Sequence, residues 1–324
     1  RERSKNFINL ISNKNKPMFN RALLAEYPPG SIFKIINGLI ALQENIISHT
    51  SSYSCNGGYE YELGKQIACH QHKKNLNLSE SIAVSCNTYF CNIFSDYFNK
   101  FKRTDIGYEA WEKYVKSFGV GDWMNNDFIS GKKGFLPTIN YYNKYYGIKR
   151  WNASTIISMA IGQGELLLTP IQMANMASII ANNGYYYTPH IIKKIETSSN
   201  IDTNFRSKKY CLIEPQHFKT IKQGMFMAIN NQDGTAHNSK VPGIKICGKT
   251  GTAQNNHGED HSVFIAFAPM ENPKIALAVY VENGGWGSTW AAPIGSLVIE
   301  KYLREKISNT ELEKFILTSK LIKN

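Results

Sequence analysis

Gly243-Ile244-Lys245-Ile246-Cys247-Gly248-Lys249-Thr250-Gly251-Thr252, followed by His261-Ser262-Val263-Phe264-Ile265-Ala266-Phe267-Ala268 and Lys274-Ile275-Ala276-Leu277-Ala278-Val279-Tyr280-Val281, decides the fold. The three runs are rich in β-formers, and Asn255-Asn256-His257-Gly258 and Glu271-Asn272-Pro273 between them are turn formers. They read as an antiparallel meander with Lys249 to Thr252 at the end of its first strand. Gly251 has no side chain, so an extended ligand can approach that strand and pair with its backbone. Taken alone, the segment reads as an ordinary glycine-rich strand end.

Upstream, Pro28-Pro29-Gly30 stops any preceding helix, and the apolar positions Ile32, Phe33, Ile35, Ile36, Leu39, Ile40 and Leu42 predict a buried helix starting near Ser31. Residues at i and i+3 share a helix face, so Lys34 is expected under the Ser31 hydroxyl. Serine is a poor nucleophile at neutral pH and needs a base within hydrogen-bond reach; a lysine held neutral is such a base. Burial among Ile and Phe, with Lys249 as a second cation nearby, would push the Lys34 pKa down. The helix start offers free N–H groups to an oxyanion, and the Thr252 N–H is the second candidate donor. Lys249, Thr250 and Thr252 are candidates to hold a substrate carboxylate. On its own, Ser31-Ile32-Phe33-Lys34 reads equally as an N-cap serine with a snorkelling lysine.

Ser85-Cys86-Asn87 lies between these segments, so the chain spells S-x-x-K, S-x-N and K-T-G in order. That set resembles the penicillin-binding and β-lactamase type of serine acyltransferase. Further stretches make the chain similar to the transpeptidase domain of class B penicillin-binding proteins, in particular the elongation-specific penicillin-binding protein 2 group. These are Phe19-Asn20-Arg21-Ala22 leading into Tyr27-Pro28-Pro29-Gly30, Ile161-Gly162-Gln163-Gly164-Glu165 through Thr169-Pro170, and Gly285-Trp286-Gly287-Ser288-Thr289-Trp290-Ala291-Ala292-Pro293. The resemblance implies a membrane-anchored D,D-transpeptidase that cross-links peptidoglycan stem peptides and is acylated by β-lactam antibiotics. It makes Ser31 the nucleophile, Lys34 the base, Ser85 a hydroxyl relay to the leaving amine, and Asn87 a ligand of the substrate amide. It also implies a periplasmic location at the bacterial inner membrane and a partner among glycan polymerases of the shape, elongation, division and sporulation family. A D,D-carboxypeptidase, a serine β-lactamase or a β-lactam sensor domain are the alternatives. A class A lactamase would use a glutamate after the second motif, and residues 113–164 contain none.

Six cysteines stand at positions 55, 69, 86, 91, 211 and 247. Cys55, Cys69, His72 and Cys86 form a set of three thiols and one imidazole suited to a structural tetrahedral zinc, and some members of the penicillin-binding protein 2 group carry a related site. Cys86 should point away from the cleft if Ser85 and Asn87 face it. His70 is the rival imidazole, and a Cys55–Cys69 disulfide is the alternative in an oxidising compartment. Cys91, Cys211 and Cys247 read as buried thiols.

With 324 residues and 42% hydrophobic content the chain can bury a large core. It shows no repeat and no apolar run of membrane-spanning length. The net charge of +12 is dispersed, with no nucleic-acid recognition motif beside it. Residues 1–24 are expected to be an entry segment from a preceding pedestal and anchor, 25–306 the transpeptidase domain, and 307–324 a polar tail that frays. Residues 31–101 read as mainly helical, 119–150 as a solvated loop or cleft-side flap, and 156–182 as a long apolar stretch. Pro293 to Arg304 reads as a helix packing Ile294, Leu297, Val298 and Tyr302 on the sheet. The expected fold is α+β: a five-stranded antiparallel sheet flanked by helices, with an inserted helical subdomain.

Overall fold

The computed structural model describes residues 2–128, 130–193, 203–255 and 257–321. Asn256 of the predicted turn, position 129 of the predicted loop and residues 322–324 of the predicted tail lie outside the described residues. The chain opens with helix α1 (Glu2–Ile11), none of whose residues is buried, and the short α2 (Arg21–Leu24). Pro28-Pro29 then delivers the backbone to Gly30, whose φ of 59° starts a 3-10 turn over Gly30–Phe33 that runs into α3 (Lys34–Gln43). Ile35, Ile36, Leu39 and Ile40 of α3 are all buried, so this is the central helix of the larger core. Each such side chain contributes about 1.5–3 kcal/mol through burial.

The helical reading of residues 31–101 fails over 50–77. Strands β1 (Ser52–Ser54) and β4 (Asn75–Asn77) pair antiparallel, and β2 (Gly58–Glu62) pairs with β3 (Lys65–Ala68). Gly57 and Gly64, at φ of 95° and 75°, make the turns that no helix tolerates. Helix returns at α4 (Leu78–Ala83), opened by an Asn77/Glu80 capping box, and at α5 (Asn87–Asn99), whose first turn is capped by the Cys86 sulfur. Then follow α6 (Thr104–Ser117) and α7 (Ile139–Tyr146), the latter a helix inside the predicted loop with Thr138 as its N-cap. The long apolar stretch resolves into a 3-10 turn over Ile157–Ile161 and α8 (Pro170–Ala181).

Beyond these lie the pair β5 (Tyr185–Tyr186) and β6 (Lys209–Tyr210), the short α9 (Thr203–Arg206) and α10 (Phe218–Asn230). The predicted meander is present as β7 (Cys247–Ala253), β8 (His261–Ala268) and β9 (Ile275–Val281), in order β7-β8-β9. Among the described residues three hydrogen-bonded strands stand where five were expected, and the remaining short strands pair among themselves. The architecture is α+β. Strand β8 is buried on both faces: Val263, Ile265 and Phe267 enter the core that contains α3, and Phe264, Ala266 and Ala268 enter a second core. That second core is closed by α11 (Ala291–Arg304).

Helix α11 uses the predicted face only in part. Leu297 is buried and Ile294 half-buried, but Val298 and Tyr302 are exposed, while Ala292, Gly295, Ser296 and Ile299 are buried. A Cβ at Gly295 would lie 2.7 Å from the Phe264 ring, so small residues let the helix settle directly on the sheet. The tail is also more ordered than expected. Asn309 caps α12 (Thr310–Thr318), and Phe315 stacks on Trp290 with ring centroids 5.4 Å apart.

The turn that carries Ser31 is locked from two sides. Its Gly30 N–H donates to the Gly162 carbonyl at 2.8 Å, and a Cβ on Gly30 would lie 2.7 Å from the Thr252 carbonyl oxygen of β7. Gly162 has φ of 71°, and a Cβ there would overlap the Gly30 carbonyl. Gly162→Ala is therefore expected to cost about 2 kcal/mol or more. Urea unfolding should show a lower midpoint at unchanged slope; a midpoint equal to that of the parent protein would refute the interlock.

Candidate active site

Three segments far apart in the chain meet at one cleft of about 480 Å³, lined by Ser31, Ser85, Asn87, Thr250, Gly251 and Thr252 among others. Ser31 sits in the 3-10 turn, Ser85 and Asn87 flank the start of α5, and the remaining three lie on β7. Gly251 is pressed between neighbours. A Cβ there would lie 3.1 Å from the Pro29 carbonyl oxygen, and the Gly287 backbone crosses beside it. The absence of a side chain thus serves the packing of the Ser31 turn as well as the approach of a ligand.

Two fully buried lysines converge on one serine. Lys34 Nζ donates to the Ser85 carbonyl at 2.8 Å, to Ser85 Oγ at 3.2 Å and to Asn87 Oδ1 at 2.6 Å. Lys249 Nζ donates to Ser85 Oγ at 2.8 Å and to the Thr250 carbonyl at 2.9 Å. Burial lowers the Lys34 pKa to about 8, against the opposing pull of the Cys69, Cys86 and Cys91 thiols. Burial, with repulsion from Lys34 second, holds Lys249 well below the usual lysine range. Ser85 has φ of 58°, a left-handed conformation that costs a non-glycine residue about 1 kcal/mol or more and places its carbonyl and hydroxyl on the same amine.

The predicted pairing of Ser31 with Lys34 takes a different form. Among the described residues no hydrogen bond ends on the Ser31 hydroxyl, which faces the cleft. A buried ammonium needs acceptors, and the Ser85 carbonyl and Asn87 amide oxygen supply two strong ones. Asn87 is fixed in turn by its side-chain N–H to the Ala68 carbonyl at 2.7 Å and its backbone N–H to Cys69 Sγ at 3.2 Å.

Residues outside the predicted set also build the cleft. Gln163 Nε2 donates to the Thr252 carbonyl at 3.1 Å, and the Thr250 and Thr235 hydroxyls bond at 2.8 Å. His70, Gln254, Asp260, Trp286 and Ser288 join the lining. Gln163 had a signal in its flanking glycines, and Trp286 lay in a stretch already singled out. Thr235 had none, because its place depends on a loop folding back onto β7.

Behind the S-x-N segment, Cys55, Cys69, His72 and Cys86 bring their sulfur and nitrogen atoms within 4.8 Å of one another, a cluster able to hold a metal ion. His72 places Nδ1 2.7 Å from the Lys73 carbonyl oxygen; an N–H there leaves Nε2 as the free donor, 3.2 Å from Cys69 Sγ. A hydrogen bond from Cys86, together with those from the Asn87 and Thr88 amides, pulls the Cys69 thiol down toward thiolate. His70 belongs to the cleft and not to the cluster, meeting His72 edge-on at 5.5 Å. All six cysteines are free, so the Cys55–Cys69 disulfide is not made, and Cys91, Cys211 and Cys247 are buried as expected.

Comparison with known proteins agrees with this geometry. The family described as penicillin binding protein transpeptidase domain matches residues 2–300. The peptidoglycan D,D-transpeptidase MrdA of Haemophilus influenzae is 28% identical over 331 residues, covering 95% of this chain and 49% of that protein. MrdA of Escherichia coli is 28% identical, covering 88% and 47%. This chain thus spans about half the length of these relatives. Among solved structures, penicillin-binding protein 2 of Pseudomonas aeruginosa superposes with a TM-score of 0.81 at 28% identity, covering 93% of this chain and 66% of the other. Penicillin-binding protein 2 of Helicobacter pylori, in complex with MreC, gives 0.76 at 25%, covering 93% and 54%. With its three motifs gathered in one cleft and the family matched over nearly its whole length, this chain belongs to the penicillin-binding protein transpeptidase domain family.

Proposed function

We propose that this domain is a peptidoglycan D,D-transpeptidase working through an acyl-enzyme on Ser31. The observation that carries the reading is the pair of buried lysines sharing the Ser85 hydroxyl beside an open Ser31. Lys34, neutral for part of the time, accepts the Ser31 proton as Oγ attacks the penultimate D-alanine carbonyl of a stem peptide. The contact between Ser31 and Lys34 tightens when substrate seats. The Ser31 turn and the Thr252 N–H stabilise the oxyanion. As the C–N bond breaks, Ser85 passes a proton to the leaving D-alanine amine, and Lys34 or Lys249 restores it. Asn87 holds the substrate amide, and Lys249, Thr250 and Thr252 hold its terminal carboxylate, with the peptide added along β7. An amine of a neighbouring strand then takes the acyl group and frees Ser31.

Among the described residues no carboxylate is a hydrogen-bond partner of Lys34, Ser85 or Lys249. This favours a transferase that releases β-lactams slowly over a lactamase. Residues 25–306 are the catalytic body, entered through 1–24 and followed by the segment 307–324. Among the described residues no helix is long and apolar enough to cross a membrane. By the family resemblance, the full protein is placed at the periplasmic face of the inner membrane through an N-terminal anchor, with a glycan polymerase of the shape, elongation, division and sporulation family as partner. Similarity to a structure of a peptidoglycan synthase complex that coordinates polymerization and crosslinking, with a TM-score of 0.80, supports that partner. Zinc is the metal that three thiols and one imidazole suit best, in a closed, structural site.

A labelled penicillin should give one adduct, mapped to Ser31, absent in Ser31→Ala and slowed at least about a hundredfold in Lys34→Ala, as loss of a general base does. The labelling rate should rise with pH and level off above about 8, since Lys34 is a base only once it has lost its proton. Sustained hydrolysis of a chromogenic cephalosporin, instead of a stoichiometric burst, would favour the lactamase. Protein purified without chelator should carry one zinc per chain and expose six alkylatable thiols after denaturation with chelator. Cys69→Ser should lose the metal. No zinc and an intact mass two hydrogens light would replace the metal site by a disulfide.

A further inference from the structure

The tyrosine-rich segment Tyr141 to Tyr146 belongs to helix α7, and the inner face of that helix is anchored. Tyr142 is fully buried, with its ring centroid 5.5 Å from that of Tyr108 and 5.1 Å from that of Trp151, and its hydroxyl donates to Glu165 Oε2 at 3.1 Å. Trp151 Nε1 donates to Asn143 Oδ1 at 2.9 Å. The outer face carries a ladder of rings. Phe135 meets Tyr141 edge-on at 5.4 Å and Tyr141 meets Tyr145 at 4.6 Å, with Phe135 36% and Tyr145 65% exposed. Aromatic surface held out by a pinned helix marks a contact face. The ladder begins beside the cleft. Phe135 and Leu167 exchange both backbone hydrogen bonds, at 2.7 and 2.9 Å, and Leu167 follows the cleft residue Gln163 by four positions in sequence. Gly134, with φ of 70°, fixes this crossing, since a Cβ there would overlap the Leu167 carbonyl oxygen. The surroundings are basic. Lys132 and Lys133 precede the ladder, Lys144 lies within it, and Lys149 and Arg150 follow; among the described residues none of the five is in an ion pair.

We propose that Phe135, Tyr141 and Tyr145 form a platform for the glycan strand that bears the donor peptide. The inference rests on the reading of Ser31 as the nucleophile toward a stem peptide. A stem peptide seated at Ser31 stays attached to a polymer of N-acetylated sugars, so that polymer runs past the rim of the cleft. Each sugar presents a face of C–H bonds that lies flat on an aromatic ring, burying apolar surface on both, while its hydroxyl and amide groups stay in water. Tyr141 and Tyr145 stand one helical turn apart, and rings in such a row suit a polymer better than a single small ligand. Carboxylates of the neighbouring stem peptides on the same strand meet the basic residues around the ladder. Exposed ion pairs are individually weak, so the rings supply most of the grip and the charges orient the strand. A second copy of this domain is a poorer occupant, because two chains of net charge +12 repel.

The test uses the full chain with Ser31 first acylated by penicillin, so that binding outside the catalytic pocket is read. Two fluorescent probes are compared by anisotropy, an uncross-linked glycan strand carrying pentapeptide stems and a neutral hexamer of N-acetylglucosamine. The parent protein should bind both, the strand about tenfold more tightly at low salt, the effect of two or three exposed ion pairs. That advantage should shrink at about 1 M salt. Tyr145→Ala should weaken both probes about fivefold, the size of one aromatic contact. Tyr145→Trp should restore binding and Tyr145→Leu should not. Lys144→Gln combined with Lys149→Gln should weaken the strand alone. Equal strand binding by Tyr145→Ala and the parent, or binding of neither probe to a protein whose Ser31 takes the penicillin, overturns the platform and leaves the acyltransferase reading standing. Self-association that is lost in Tyr145→Ala, with no glycan binding, assigns the face to contact between copies and overturns the platform as well. Absence of any penicillin adduct on Ser31 of the parent protein overturns the acyltransferase reading and the platform with it.

Discussion

Two amines buried on one hydroxyl are the constraint around which this domain is arranged. Unit charges about 5 Å apart at an effective dielectric near 20 repel by about 3 kcal/mol. Lys34 and Lys249, both fully buried and both bonded to Ser85 Oγ, therefore resist being charged together. At least one amine spends part of its time neutral near physiological pH, with the Ser85 hydroxyl donating to it. A site of this kind destabilises the fold locally and gains a base where water has no access. Such a trade is tolerable only if the surrounding chain leaves the amines nowhere else to go.

The surroundings do this by interlocking backbone more than by side-chain bulk. Gly30, Gly162 and Thr252 bring three distant segments into contact with no room for a Cβ on either glycine, and Gly251 and Gly287 repeat the arrangement one strand position away. Gln163 adds a hydrogen bond across the same seam. The left-handed Ser85 is held by α4 before it and by the Cys86-capped start of α5 after it. Its strain is therefore sustained by ordinary helix termini. The apolar β8, buried on both faces, fixes β7 and thus the position of Lys249 relative to α3.

Much of this was legible because it is written in local rules. The period of the meander, the punctuation at Pro28-Pro29-Gly30 and the order of the three motifs each follow from residues adjacent in sequence, and the structure keeps all of them. The failures share a cause. Strands β1 to β4 are short, and β1 pairs across the Ser52–Asn77 separation of 25 residues, which periodicity cannot report. Lys34 bonds Ser85 and Asn87, and among the described residues no hydrogen bond ends on the Ser31 hydroxyl, because the best acceptors come from another segment. Helix α11 buries alanine, glycine and serine in place of valine and tyrosine, since contact with Phe264 rewards small size over hydrophobicity. Thr235, His70 and Asp260 enter the cleft only through loop paths that no local pattern encodes.

The Cys/His cluster connects to the cleft through Asn87, and this explains its place in the fold. Cys69 Sγ accepts the Asn87 N–H, the Ala68 carbonyl accepts the Asn87 side chain, and Asn87 Oδ1 accepts from Lys34. Any displacement of β3 and the loop after it is therefore passed to the lysine amine within two hydrogen bonds. β2 and β3 form a small two-stranded sheet in which Glu60, Glu62, Lys65, Gln66 and Ala68 are exposed, too little buried surface to hold such a position alone. A metal bound by the four donors that converge from β1's end, β3's end and the start of α5 would supply the missing rigidity from behind. Because Cys86 lies between the two cleft residues Ser85 and Asn87, such a brace would act on both without entering the cleft.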